Sequence, residues 1–74
     1  MIQELDRIIL TTDLPGYGLE QGDVGTVVLI HQDGAGYEVE FVTLNGDTIA
    51  VVSLYNEQIR TISSREIARV RVMN

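Results

Sequence analysis

The sequence predicts one small, mostly-β barrel domain of five to six antiparallel strands, with one short helical turn near the C-terminus. Short segments rich in Val, Ile and Leu alternate with turn signals at intervals of about eight to twelve residues, which is the spacing of small barrels and sandwiches. The chain has 74 residues, a length near the lower limit for a domain that folds without covalent help. No repeat or linker divides it, so residues 1–74 form a single unit.

The strands are predicted from composition and periodicity. Residues 7–11 and 24–31 are aliphatic and β-branched, and Gly25 within the second segment indicates a bulge or a tight bend. Residues 37–41 alternate apolar and charged side chains, so one face is buried and the other faces water. This alternation assigns Tyr37 to the core.

The turns order these strands. Asp33-Gly34 and Asn45-Gly46 are hairpin signals that connect the segments 24–31, 37–41 and 48–54 into a meander. Residues 13–23 are rich in Gly, with one Pro, and predict a long loop after the first strand. Such a loop resembles the long first loop of SH3-like barrels.

The C-terminal part of the chain is predicted to complete the sheet. Residues 59–62 form a short strand, and Ser63-x-x-Glu66 has the spacing of a capping box, which predicts one helical turn. Residues Ala68–Val72 alternate Arg and aliphatic side chains and predict a closing strand. A helix over Ser64–Val70 is the alternative, but its β-branched content disfavours it.

Composition excludes several classes of function. The chain contains no Cys, no Lys and one His, so thiolate sites, imidazole zinc sites and a phosphate-binding Gly-Lys loop are not expected. We therefore predict no cofactor, no metal and no enzymatic activity.

No apolar run approaches the roughly 20 residues of a membrane span, and the first residues lack the pattern of a signal peptide. We expect a cytoplasmic protein without a membrane partner.

Glu38 and Glu40 are the clearest candidate site. They lie on one face of one strand, about 7 Å apart along it, a spacing that paired-carboxylate hydrolases use. A chain of one small domain has no second domain to form a desolvating cleft, so we interpret the pair as a solvated acidic face. Tyr17 and Tyr55 are the aromatic residues expected to be available at the surface beside it.

The charge balance leads to three functional hypotheses. Eleven acidic residues against five Arg give a net charge of −6, which favours a non-catalytic module that binds a basic protein, such as an accessory protein or an antitoxin- or immunity-type inhibitor. The alternative is a KOW-like nucleic-acid module that uses the arginines clustered near the C-terminus, which are Arg60, Arg65, Arg69 and Arg71. The third is a homo-oligomer paired through the predicted edge strand Ala68–Val72.

Three segments carry a resemblance to a known family. Residues 22–28 (Gly-Asp-Val-Gly-Thr-Val-Val), residues 37–42 (Tyr-Glu-Val-Glu-Phe-Val) and residues 46–52 (Gly-Asp-Thr-Ile-Ala-Val-Val) resemble a bacterial family catalogued as domain of unknown function 4926. Leu14-Pro15 and Gln58-Ile59-Arg60 extend the similarity, which covers roughly residues 5 to 72. The resemblance implies a small SH3-like barrel encoded as a stand-alone protein. It implies no established activity and no catalytic residues.

Overall fold

The computed structural model describes residues 1–73 and contains one five-stranded antiparallel sheet. The strands are β1 (Arg7–Leu10), β2 (Val24–His31), β3 (Gly36–Val42), β4 (Thr48–Leu54) and β5 (Ile59–Thr61). Single 3-10 turns lie at Pro15–Tyr17, Gln32–Gly34 and Asn56–Gln58, and residues 1–73 contain no α-helix. The predicted mostly-β fold of antiparallel strands is confirmed, with five strands.

The order of the strands in the sheet is β4-β3-β2-β1-β5. Strands β1 to β4 form a meander, and β5 returns to the free side of β1. β2 pairs with β1 through residues 24–26 and with β3 through residues 26–31. The two ends of β2 therefore pair with different strands. In this way β2 joins the pair β1 and β5 to the pair β3 and β4.

The core lies under the inner face of the sheet. Tyr37, Val39 and Phe41 are buried while Glu38 and Glu40 are half-exposed, as the alternation in β3 predicts. The buried cluster comprises Ile8, Leu10, Leu19, Val27, Tyr37, Val39, Phe41, Val52, Leu54 and Ile59. It contains aliphatic and aromatic groups only, so hydrophobic burial is the main source of its stability.

Gly25 allows close packing of the core, and the bulge predicted at this residue lies elsewhere in β2. A Cβ atom at Gly25 would lie 2.5 Å from Cγ1 of Val39 and 2.8 Å from Cε1 of Phe41. These two core side chains therefore occupy the space that any larger residue would need. The register of β2 against β3 shifts between Val27 and Leu29 instead.

The β3–β4 hairpin closes as the Asn45-Gly46 signal predicts. The backbone N–H of Gly46 donates to the carbonyl of Thr43 at 2.9 Å, and that of Thr43 donates to Asp47 at 2.8 Å. Gly46 has a φ of 92°, so the loop is a tight turn followed by a left-handed residue. Gly34, in the other predicted turn, also has a positive φ.

The C-terminal segment, residues 62–73, differs from its prediction. Ala68–Val72 is not a strand and Ser64–Val70 is not a helix. Ser63 and Glu66 form one hydrogen-bonded turn, in which the N–H of Glu66 donates to Ser63 and the N–H of Ser63 donates to the Glu66 carboxylate. The alternation of Arg and Val was misleading, because a strand also needs a neighbouring strand to pair with. Here the side chain of Arg71 instead binds the loop before β2.

Three hydrogen bonds from the Arg71 side chain attach this segment. Arg71 donates from Nε to Oδ1 of Asp23 at 2.8 Å and from Nη2 to the carbonyl of Gly18 at 3.0 Å. Nη2 also contacts Oδ2 of Asp23 at 2.5 Å. Burial raises the pKa of Asp23, but hydrogen bonds from Arg71 and the Glu20 backbone outweigh it, so this pKa lies below its ordinary value. Asp23 therefore stays ionised and holds the guanidinium.

Candidate protein-docking face

The bulge in β2 determines which side chains share a face with Glu38. Val27 points into the core opposite Val39, and strict alternation would place Leu29 and His31 there too. The extra residue, Val28, reverses the alternation, so Leu29 lies opposite Glu38 and Ile30 lies opposite Tyr37. We call the resulting solvent-facing surface of β2, β3 and β4 the outer face; it comprises Leu29, His31, Glu38, Glu40, Val42, Val51 and Ser53.

Glu38 lies at the centre of a cross-strand hydrogen-bond group. Its Oε2 atom is 2.7 Å from Nε2 of His31 on β2 and accepts a hydrogen bond from Oγ of Ser53 on β4 at 2.5 Å. The hydroxyl of Ser53 and, next, the ring of His31 lower the pKa of the Glu38 carboxyl below its ordinary value. Glu38 is therefore anionic at neutral pH and is fixed in one orientation from both sides.

Glu40 is held in a similar way. Its Oε2 atom accepts a hydrogen bond from Oγ1 of Thr48 at 3.0 Å. Within residues 1–73, the Oε1 atoms of Glu38 and Glu40 accept no hydrogen bond. Since each carboxylate oxygen can accept about two, both glutamates present a positioned oxygen to a donor from outside the chain.

Exposed aliphatic side chains surround the two carboxylates. Leu29 is 45% exposed, Val42 is 47% exposed and Val51 is 51% exposed. Leu29 lies directly opposite Glu38, and Val51 lies directly opposite Glu40. The outer face therefore combines acidic groups with accessible apolar groups, and is less polar than the solvated acidic face expected from the alternation of β3.

The predicted tyrosines occupy different places. Tyr55 is 66% exposed and lines an open groove of about 280 Å³ at one end of the outer face, with His31, Tyr37 and Ser53. Tyr17 is exposed on the 3-10 turn between β1 and β2, and the groove does not include it. Of the four predicted surface residues, Glu38 and Glu40 share the outer face, Tyr55 borders it and Tyr17 belongs to another loop.

The four clustered arginines are not equivalent. Arg60 makes a two-point ion pair with Glu66 at 2.8 Å and 2.6 Å, and Arg71 binds Asp23 as described. Arg65 and Arg69 form no ion pair with any residue of the described chain. Two of the four charges are therefore neutralised locally, and the positive field of this segment is weaker than its composition suggests.

The pKa of Glu38 and the direction of the Ser53 hydrogen bond describe the chemistry of the outer face. A general acid at neutral pH needs a raised pKa, whereas that of Glu38 is lowered. Ser53 and His31 both contact the same carboxylate oxygen, so the Ser53 hydroxyl donates to Glu38 rather than to a histidine base. No group of three or more His, Asp or Glu side chains within residues 1–73 is arranged to hold a metal ion. Over the same residues, no helix is long and apolar enough to cross a bilayer.

His31, Ser53 and the exposed aliphatic residues were not predicted as part of this face. The sequence shows no Asp, Ser or Cys in a catalytic register beside His31, and its hydrogen-bond partner lies on another strand. Ser53 lies opposite Glu38 only because the register of β3 against β4 shifts by one residue between Phe41 and Val42, which the Asn45-Gly46 turn does not indicate. The orientation of His31 likewise depends on the bulge at Val28, which has no distinct signal in the sequence.

The comparisons with known proteins give a family and no activity. The family model described as Domain of unknown function (DUF4926) matches residues 4–61. This range covers all five strands and ends before the C-terminal segment that Arg71 attaches. No curated protein and no solved structure gives a match.

Proposed function

The chain belongs to the DUF4926 family, and we propose that it is a non-catalytic protein-binding module whose outer face docks a basic partner. The observation that carries the proposal is the pair Glu38 and Glu40, each held by neighbouring side chains through Oε2 with Oε1 left to accept a hydrogen bond. A positioned carboxylate loses little conformational freedom on binding, which increases the affinity that a contact provides.

The chemistry of the outer face defines the partner. Guanidinium groups carry several N–H donors in a rigid plane and are favoured over ammonium groups at interface carboxylates, where the Oε1 atoms of Glu38 and Glu40 can each accept a hydrogen bond. Leu29, Val42 and Val51 would contact apolar groups between these charges. The partner is therefore a protein surface or extended segment with Arg and aliphatic side chains in alternation, and the net charge of −6 would accelerate the encounter.

The fold supports a scaffold of the SH3-like type. The long loop between β1 and β2, the four-stranded meander and the return of β5 to β1 all agree with this assignment. Within that class, the acidic surface favours an accessory protein or an inhibitor of a basic toxin or nuclease. A neighbouring gene for a basic protein of that kind would support the inhibitor.

A matched pair of variants tests the proposal. Glu38→Gln with Glu40→Gln removes two charges from the outer face. Glu4→Gln with Glu57→Gln removes two charges from exposed positions outside it. Affinity capture from cells that contain the native protein should recover a basic protein in stoichiometric amount with the wild type and the Glu4/Glu57 variant, but not with the Glu38/Glu40 variant. Equal recovery with both variants would contradict the proposal.

Nucleic-acid binding is the second candidate, and Arg65 and Arg69 are the residues that favour it. Their guanidinium groups make no ion pair in the described chain, unlike those of Arg60 and Arg71. Two free cations on an acidic body would give weak and strongly salt-dependent binding. We expect no shift when RNA or DNA is titrated at low salt. A shift that disappears in Arg65→Gln with Arg69→Gln would establish this alternative instead.

A further inference from the structure

Strand β4 is an open edge of the sheet. It is the last strand in the order β4-β3-β2-β1-β5, and among residues 1–73 its only strand partner is β3. Within residues 1–73, no backbone group outside β3 forms a hydrogen bond with Thr48–Leu54. Because alternate residues of an antiparallel pair direct N–H and C=O away from the partner strand, β4 presents a row of unpaired groups.

The composition of β4 makes this edge suitable for pairing. Its sequence, Thr-Ile-Ala-Val-Val-Ser-Leu, contains no charged residue and no Pro, two of the devices that protect an edge. The strand has no bulge between Ala50 and Leu54 and stays in register with β3 there. By contrast, β5 at the other edge has three residues, one of which is Arg60.

We propose that β4 pairs antiparallel with β4 of a second copy of this chain, about a two-fold axis at Val51. This register places Val51 beside its symmetry mate and Ala50 beside Val52, within the part of β4 that has no bulge. No charge faces a like charge, and the two Val51 side chains, half-exposed in the single chain, form a β-branched cross-strand pair. The contact is symmetric, so it closes at the dimer and leaves no β4 edge.

The acidity of the chain does not prevent this pairing. On β3, the carboxylate nearest the proposed axis is that of Glu40, which lies opposite Val51. In the dimer the two Glu40 positions are separated by three strand spacings, about 14 Å. That distance exceeds the Debye length of about 8 Å at physiological ionic strength. The repulsion is therefore largely screened, and added salt should strengthen the dimer.

The dimer is independent of the proposed docking function, because it requires only the purified chain. It would join two outer faces across one continuous sheet, since Val51 and Ser53 lie on that surface. Light scattering at chain concentrations from about 10 μM to about 1 mM, the range for a small interface, should show the molar mass rising from 8.2 kDa towards twice that value.

Two pairs of variants examine the register. Val51→Lys places like charges at the two-fold axis and should keep the chain monomeric, whereas Val24→Lys, at a similarly exposed valine on the internal strand β2, should not. In this cysteine-free chain, Val51→Cys should form a disulfide-linked dimer under mild oxidation much faster than Val24→Cys. A monomeric wild type at the highest concentration, or equal crosslinking at both positions, would overturn the proposal.

Discussion

Gly25 is buried beneath the side chains of Val39 and Phe41. Ala at this position would place a methyl group 2.5 Å from Val39 Cγ1, so the core must move to admit it. We expect Gly25→Ala to lower the free energy of unfolding by about 1–3 kcal/mol, the usual cost of overpacking. Urea denaturation measures this change.

Gly16→Ala is the matched control for this substitution. No atom lies within 4 Å of a Cβ at Gly16, and its φ is not in the left-handed region. We expect its free energy of unfolding to stay within about 0.5 kcal/mol of the wild type. Equal effects at both glycines would show that Gly25 is not required for packing.

Glu66 provides the clearest pH dependence. Hydrogen bonds from Arg60 and from the Ser63 N–H lower its pKa from 4.5 to about 2. A carboxyl with a lowered pKa in the folded state contributes stability that is fully present above about pH 4.5 and is lost as the pH falls through about 2. The stability difference between wild type and Arg60→Gln should therefore be present at about pH 6 and disappear towards pH 2.

A carboxyl titration by NMR tests the cause directly. In Arg60→Gln the pKa of Glu66 should rise towards 4.5, whereas Arg65→Gln, which removes an arginine without an ion pair in the described chain, should leave it unchanged. Because both partners are exposed, salt should weaken the interaction. A Glu66 titration identical in the wild type and Arg60→Gln would contradict the assignment.

The elements differ in how far the sequence determines them. β3 and β4 were predicted within one residue, since alternation and the Asn45-Gly46 turn specify both strands. Their register was not, because it shifts by one residue between Phe41 and Val42. The bulge at Val28 was not predicted, because inserting one residue changes the pairing without changing the apolar composition of β2. The position of His31 next to Glu38 depends on that bulge, so this part of the outer face was inaccessible to sequence reasoning.

The C-terminal segment illustrates a different limit. Residues 68–72 have the alternation of a strand, yet the side chain of Arg71 binds Asp23 and the Gly18 carbonyl, 48 and 53 residues away in the sequence. A local pattern contains no information about such a distant contact. The prediction of a closing strand was wrong for this reason.

The Arg71 contact should determine the order of this segment. In Arg71→Gln the ion pair with Asp23 is lost, and we expect backbone order parameters over residues 67–73 to fall below about 0.6, the range of flexible chain. Arg69→Gln serves as the control, because Arg69 makes no ion pair within residues 1–73. ¹⁵N relaxation measures both, and unchanged order in Arg71→Gln would mean that other contacts hold the segment.

At the scale of the whole molecule, charge and apolar exposure are unevenly distributed. The acidic outer face lies on β2, β3 and β4, while four of the five arginines lie on β5 and in the C-terminal segment. Ion pairs with Glu66 and Asp23 neutralise two of those arginines. The surface that remains most distinctive for binding is therefore the outer face, where positioned carboxylates adjoin exposed aliphatic groups.

Chemical-shift mapping of a ¹⁵N-labelled chain tests this claim most directly. The probe is a short peptide that alternates Arg and Leu, with a Glu and Leu peptide as the control. We expect the basic peptide to shift amides of Leu29, Glu38, Glu40 and Ser53, with weaker effects at higher salt and in Glu38→Gln with Glu40→Gln. Shifts confined to residues 62–73, or none on the outer face, would contradict the proposed docking function.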